Sequence, residues 1–202
     1  GNIKAEEISG RINASFGRLP KKNTPERKTH PDLEFKGRKQ HTKKIGEYPM
    51  VNLIYKGVPM GHPDEIPLDI VMSLISNRNS TGILDRLTVE GDLLGAAAIV
   101  GSMRERGRNR IIAIPAFDTN KRRFDSNKSV EKKILKAVEK VANGAIEDWL
   151  IESVKLNLCR DHDLSMESNE GKARAVMAAF IADMSMEHVL NYKEEVMAVT
   201  ID

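Results

Sequence analysis

One change of apolar period divides this chain and limits its fold more than any motif does. Between Tyr48 and Lys56, Val51, Leu53 and Tyr55 alternate with Met50, Asn52, Ile54 and Lys56, the pattern of a strand with two unlike faces. Two more extended runs, Leu94–Ser102 and Arg108–Phe117, flank the polar segment from Met103 to Gly107 and read as a hairpin. From Ser126 onward the spacing turns helical. Val130, Ile134, Val138 and Val141 form one stripe that Gly144 is placed to stop, and Trp149, Leu150, Val154 and Leu158 form another between Ile146 and about Met166. A third helix is expected from about Glu170 to Met184, through Ala173, Val176, Met177, Phe180 and Ile181. Ser185 then caps a fourth, with Val189, Leu190, Val196 and Met197 on its buried side.

Strands early and helices late predict an α+β fold: a two-layer sandwich, mostly antiparallel sheet with helices packed on one face. Shorter helices complete the outline. Glu6 to Phe16 carries Ile8, Ile12 and Phe16 before Gly17; Asp64 caps a helix with Ile66, Ile70, Val71, Leu74 and Ile75; Ser80 or Thr81 caps one with Ile83, Leu84 and Leu87 that Gly91 ends. At 202 residues the chain has room for a sizeable core. No apolar run approaches the roughly 18 residues of a membrane span, and no signal segment opens the sequence. One cysteine, Cys159, forms no internal disulfide and leaves the compartment open. A start at Gly1 and a finish at Val199-Thr200-Ile201-Asp202, which looks like the entry to another helix, make a piece of a longer chain the expectation.

Charge is uneven. Residues 1–47 hold twelve Lys and Arg against six Asp and Glu, a surplus of +6 that leaves the other 155 residues at −3 within a total of +3. Lys21, Lys22, Lys43, Lys44 and their basic neighbours sit among Pro20, Pro25, Pro31 and Gly37, so this arm reads as a linker or an edge strand. Nucleic acid or an acidic protein is the alternative partner such an arm suggests, by salt-sensitive contacts. Only Phe35 is aromatic within it, which leaves no stacking platform, and nucleic acid is not the expected partner.

Catalytic patterns are missing. His30, His41, His62, His162 and His188 include no pair four residues apart, and neither His-Glu-x-x-His nor its inversion is present; only a site gathered from loops by His30, His41 and His62 would bind zinc. Cys159 and His162 lie three apart with Asp163 next, the spacing of a thiol–imidazole pair, but in an acidic helical setting that disfavours a thiolate. Gly91-Asp92-Leu93-Leu94-Gly95 puts an acid where a phosphate would sit, and Gly171-Lys172-Ala173 lacks the rest of a P-loop.

Five short segments, taken in order, resemble the pitrilysin/insulinase family of zinc peptidases in its C-terminal, non-metal-binding repeat. They are Gly1-Asn2-Ile3 leading to Phe16-Gly17-Arg18-Leu19-Pro20; Val51 to Gly57; His62-Pro63-Asp64; Ser80-Thr81-Gly82-Ile83-Leu84-Asp85-Arg86-Leu87; and Tyr192 to Thr200. The resemblance implies one inactive domain over 1–202, with a helix and linker entry at 1–20, a basic linker or edge strand at 21–47 and the main core at 48–202. It also implies the family's metallopeptidase-like repeat fold. Active members place an Arg and, seven positions on, a Tyr after the Ser-rich helix, where they hold the substrate carbonyl. Those positions are Thr88 and Gly95 here, and the frame that uses Arg86 puts Leu93 at the tyrosine. Neither frame restores a phenol that could donate to an oxyanion.

The implied role is therefore non-catalytic: a domain that walls a chamber and offers sheet edges to extended peptide. It implies no catalytic or metal-binding residue and no cofactor in this chain, zinc being expected only in a homologous catalytic domain, on the same chain or in a separate subunit. An exported or periplasmic setting is compatible with the family.

Overall fold

A computed structural model describes residues 3–23, 25, 26, 28, 31 and 36–200. Gly1, Asn2, His30, Phe35, Ile201 and Asp202, which entered the reading above, lie outside the described residues. The chain divides into two compact units, Gly1–Ile45 and Gly46–Asp202.

The first unit holds α1 (Ala5–Phe16), where the Gly17 N–H closes the last turn on the Asn13 carbonyl at 2.9 Å. Its Ile8, Ile12 and Phe16 follow the expected spacing, yet no residue of the helix is buried. From residue 21 to 47 the described residues form neither helix nor strand, so they supply no edge strand.

The second unit is built on a three-stranded antiparallel sheet in the order β1 (Val51–Gly57), β3 (Gly107–Pro115), β2 (Leu93–Ile99). Alternation decides its faces: along β3, Asn109, Ile111, Ala113 and Pro115 are buried while Arg108, Arg110, Ile112 and Ile114 turn the other way. Helices α2 (Glu65–Ile75), α3 (Ile83–Val89) and α4 (Asn127–Ala142) cover the buried face, where Met72, Ile75, Leu84, Leu93, Ile111, Val130 and Ile134 make one core. The other side of α2 faces α5 (Asp148–Glu167) and, further on, α8 (Tyr192–Ala198), closing a second core of Ile66, Ile70, Leu74, Leu150, Ile151, Val154 and Val196. Helices on one face of an antiparallel sheet are the architecture the periods predict.

Departures from the expected elements have local causes. The helical pattern begins after Ser126 as expected, and there Ser126 caps α4, accepting from the Ser129 N–H at 3.1 Å. Neither Ser80 nor Thr81 caps α3; Gly82 holds that position, and the Asp85 carboxylate reaches back to its N–H at 3.0 Å. A Cβ on Gly82 would meet the Ile75 carbonyl oxygen and Ser76 Cα, each at 2.7 Å, so no larger residue fits there. The second long strand stops at Pro115, and Phe117–Asp118 (β4) instead pairs with Arg123–Phe124 (β5), a small hairpin with no clear sequence signal. Trp149, placed on the buried stripe of α5, is 54% exposed because its indole N–H turns out to Glu147 at 2.7 Å. The single fourth helix is two, α7 (Met186–Leu190) and α8, broken at Asn191, and Leu190 and Met197 are exposed while Val196 is buried. Between them and α5 lies α6 (Asn169–Ala182), which buries Ala179 and Ala182 rather than its larger residues.

Candidate functional site

The β2 sequence Leu-Leu-Gly-Ala-Ala-Ala-Ile is free of charge and proline, and it forms an outer strand of the sheet. Lysine and proline are the usual guards of such an edge. The ladder fixes which backbone groups it presents. At the hairpin end the Arg108 N–H donates to the Gly101 carbonyl at 2.9 Å and the Met103 N–H to the Arg106 carbonyl at 3.1 Å. Alternation from there makes Ala97 and Ile99 the residues bonded to β3, and directs the N–H and C=O of Ala96 and Ala98 to the open side. Opposite the buried Ala113 and Ile111, those two alanines set their methyl groups toward the helices.

A groove of about 370 Å³ runs along this edge between β2, the end of α2 and α5. Val154, Asn157, Leu158 and Asp161 line its α5 wall at the spacing of one helix stripe. The α2 end is held by a buried network in which Asp85 accepts from the Ser76 hydroxyl at 2.7 Å and the Asn77 N–H at 2.9 Å. A rigid corner thus closes one side of a strip of backbone that has no partner among the described residues.

The structure separates the two frames for the missing Arg–Tyr pair. Leu93 is 2% exposed in the core, so a residue there cannot reach a substrate. Arg86 pairs with Glu147 at 2.9 Å and lies over the Trp149 ring at 5.7 Å. Gly95 stands on β2, where an added Cβ would find only Ile114 Cδ1 at 3.8 Å, and Thr88 returns its hydroxyl to the Leu84 carbonyl at 3.3 Å. The frame of Thr88 and Gly95 is the one that flanks the edge, and neither side chain supplies a donor to it.

The other candidates do not converge. Cys159 Sγ faces the Lys193 carbonyl at 3.9 Å, while His162 stacks on Tyr192 with ring centroids 5.0 Å apart. Burial pushes the Cys159 thiol pKa up, with Lys193 opposing and Asp163 and Glu194 adding to the rise, the reverse of what a nucleophile needs. His62 lies beside Asp64 at 3.7 Å, and His188 sits between Glu195 at 2.8 Å and Glu65 at 3.9 Å. Among the described residues no three His, Cys, Asp or Glu side chains are grouped to hold a metal ion. Zinc therefore finds no fitting donor set among them.

A further polar pair joins α2 to α8. Asp69 is raised to a pKa of about 6, by burial first and by the Glu65 charge second, against a lowering hydrogen bond with Tyr192. Burial also raises the Tyr192 phenol, with Asp69 contributing. Sequence reading singled out none of Ala96, Ala98, Asn157, Asp161 or Asp69. The unguarded Gly-Ala-Ala-Ala run was the signal for the first two; the rest depend on tertiary neighbours.

Comparison with known families finds that the family described as Peptidase M16 inactive domain matches residues 1–158. Among solved structures, a protease from Helicobacter pylori is similar at TM-score 0.75 and 19% identity, over 99% of this chain and 48% of that one. A conserved protein from Enterococcus faecalis V583 is similar at TM-score 0.62 and 17% identity, over 75% of this chain and 34% of that one. This chain thus spans about half the length of the first and a third of the second. No curated protein sequence matches significantly.

Proposed function

The chain belongs to the M16 peptidases as an inactive, non-catalytic domain, and from that premise we propose that its work is to hold extended peptide on the β2 edge, as one wall of a chamber completed by a catalytic M16 domain. The observation that carries this reading is the strip at Ala96 and Ala98, where backbone donors and acceptors face outward beside a groove with room for side chains. Strand addition takes its affinity from main-chain bonds and its selectivity from alternate side chains, and this edge supports both. Chemistry then belongs to the partner domain, which supplies the zinc and the general base.

The test uses a fluorescein-labelled 12-residue peptide of alternating Val and Thr. Its binding to the chain is followed by anisotropy, and by hydrogen exchange at single amides. The amides of Ala96 and Ala98 gain protection on binding, and Ala98→Pro, which removes one outward N–H and no ladder bond, weakens binding about tenfold, the worth of one such hydrogen bond. Asn52→Pro on the opposite outer strand leaves binding unchanged. Equal binding by the Ala98→Pro chain, with no new protection at Ala96, refutes the reading.

A further inference from the structure

Three carboxylates meet where α7 and α8 fold back onto α2, and they share one base. Glu65 and Asp69 are four apart on α2, so they stand on one face of it and repel when both are charged. Glu195 comes from α8, and His188 of α7 stands between the two helices: its Nδ1 is 2.8 Å from Glu195 and its Nε2 is 3.9 Å from Glu65. The Glu65 carboxylate accepts from the Gly61 N–H at 2.6 Å, and the Tyr192 hydroxyl of α8 bonds to Asp69. The side chains of Glu65 and His188 are 16% and 24% exposed, so solvent screens them weakly. Other charges nearby are engaged or turned away. Lys193 pairs with Asp163 at 2.9 Å, Lys155 lies 3.9 Å from Glu152, and Asp183 at the end of α6 pairs with Arg104 at 3.2 Å. In the loop before α2, His62 lies 3.7 Å from Asp64, while Glu187 and Glu194 are exposed. From α5, Cys159 and Asp161 act on Tyr192 by charge, and His162 stacks on its ring. Among the described residues no Lys or Arg pairs with Glu65, Asp69 or Glu195, and His188 is the single basic side chain joined to the group.

We infer that α7 and α8 form a proton-controlled latch on α2: protons taken up by Asp69 and His188 close it, and their loss loosens it. The charges dictate the direction. In base, Glu65, Asp69 and Glu195 are all negative around a neutral imidazole, and the two helices carry like charge toward each other. Acid reverses both terms, because a neutral Asp69 removes one repulsion and an imidazolium at His188 attracts Glu65 and Glu195 together. Asp69 holds its proton up to about 6, above the roughly 3.9 of an unfolded aspartate, so the closure it contributes is present in acid and is lost as pH rises through 6. What the latch governs is the second core. Val196 of α8 is fully buried in that core and Tyr192 packs against it, so release of α8 opens the core on the α2 and α5 side. The latch is separate from the β2 edge, and neither proposal requires the other.

The experiment follows amide hydrogen exchange of the full chain at pH 5.0 and pH 8.0, with each rate divided by that of the unstructured sequence at the same pH. At pH 8.0 the α8 amides are less protected than those of α4, the mark of a segment that opens by itself. Their protection falls at least about tenfold from pH 5.0 to pH 8.0, the ratio that the Asp69 proton alone produces over that interval. Asp69→Asn restores most of the protection at pH 8.0 and leaves pH 5.0 nearly unchanged. His188→Gln does the converse, lowering protection about threefold at pH 5.0, the worth of a modest ion pair, with little effect at pH 8.0. Equal protection of α8 at the two pH values overturns the inference, as does exchange of α8 only in step with α4. So does an Asp69→Asn chain, folded by circular dichroism, in which α8 is no better protected at pH 8.0.

Discussion

Helices α4 and α6 are both two-faced, and they bury opposite kinds of side chain. Helix α4 turns Val130, Ile134 and Ala137 inward and leaves Lys128, Lys132, Lys136 and Lys140 in solvent. In α6 the alanines Ala179 and Ala182 are the buried residues, while Val176 and Met177 are 53% exposed and Phe180 is 85% exposed. The reason is what each helix packs against. A sheet face offers broad apolar area, and burying large aliphatic groups there returns the most free energy per residue. Helix α6 lies against another helix, α5, where small residues allow close approach. Apolar spacing reveals that a helix has a face; the partner surface decides which face goes inside.

The largest test of that contrast is Ile134→Ala. Ile134 is fully buried between α4 and the sheet, so truncation removes its apolar contacts and leaves a cavity, with a loss of about 2–5 kcal/mol in stability by urea denaturation. A loss under about 1 kcal/mol would mean that α4 is not the dominant cover of the sheet.

Next in size is Asp69→Asn, which probes the α2–α8 junction. The native carboxyl titrates at about 6, above the roughly 3.9 of an unfolded aspartate, so the folded state holds its proton more tightly. Stability from this group is fully present below pH 4, declines as pH rises through 6 and stays low above it. The span is about 3 kcal/mol at most, at 1.36 kcal/mol per pH unit. Asn keeps a hydrogen-bonding partner for Tyr192 without the buried charge. Asp69→Asn therefore stabilises the chain by up to about 3 kcal/mol at pH 7.5 and changes little at pH 3.5, measured as urea midpoints at the two pH values. Equal effects at both would place the carboxyl in solvent.

These cases show how far the sequence could be read. The antiparallel hairpin, the helical start after Ser126 and the stripe through Val130 and Ile134 follow from rules spanning at most a few residues, and they appear where expected. The α3 cap was misplaced because Asp85 sits three residues beyond Gly82, and its bonds to Ser76 and Asn77 come from the preceding helix. The missing phenol was legible, since Thr88 and Gly95 are visible in the sequence; Leu93 as a core residue was not, because both frames read equally well along the chain. The peptide edge was half legible. Its lack of charge is written in Gly95 to Ala98, but the outward direction of the Ala96 and Ala98 backbone depends on the register set by Arg108 and Gly101.

The smallest effect belongs to α6. The apolar spacing through Val176, Met177, Phe180 and Ile181 gives the expectation that Phe180 packs in a core, which would make its replacement cost about 3–5 kcal/mol. In the structure the ring is 85% exposed, and exposed sites away from caps and networks change stability by within about 0.5 kcal/mol. Phe180→Ser should therefore leave the urea midpoint of the chain unchanged while removing the most exposed large apolar side chain of α6. The size of the midpoint shift reads directly on which face of α6 is inside: a shift worth more than about 1 kcal/mol requires the ring to be covered within the chain, and with it a reversal of the α6 packing against α5.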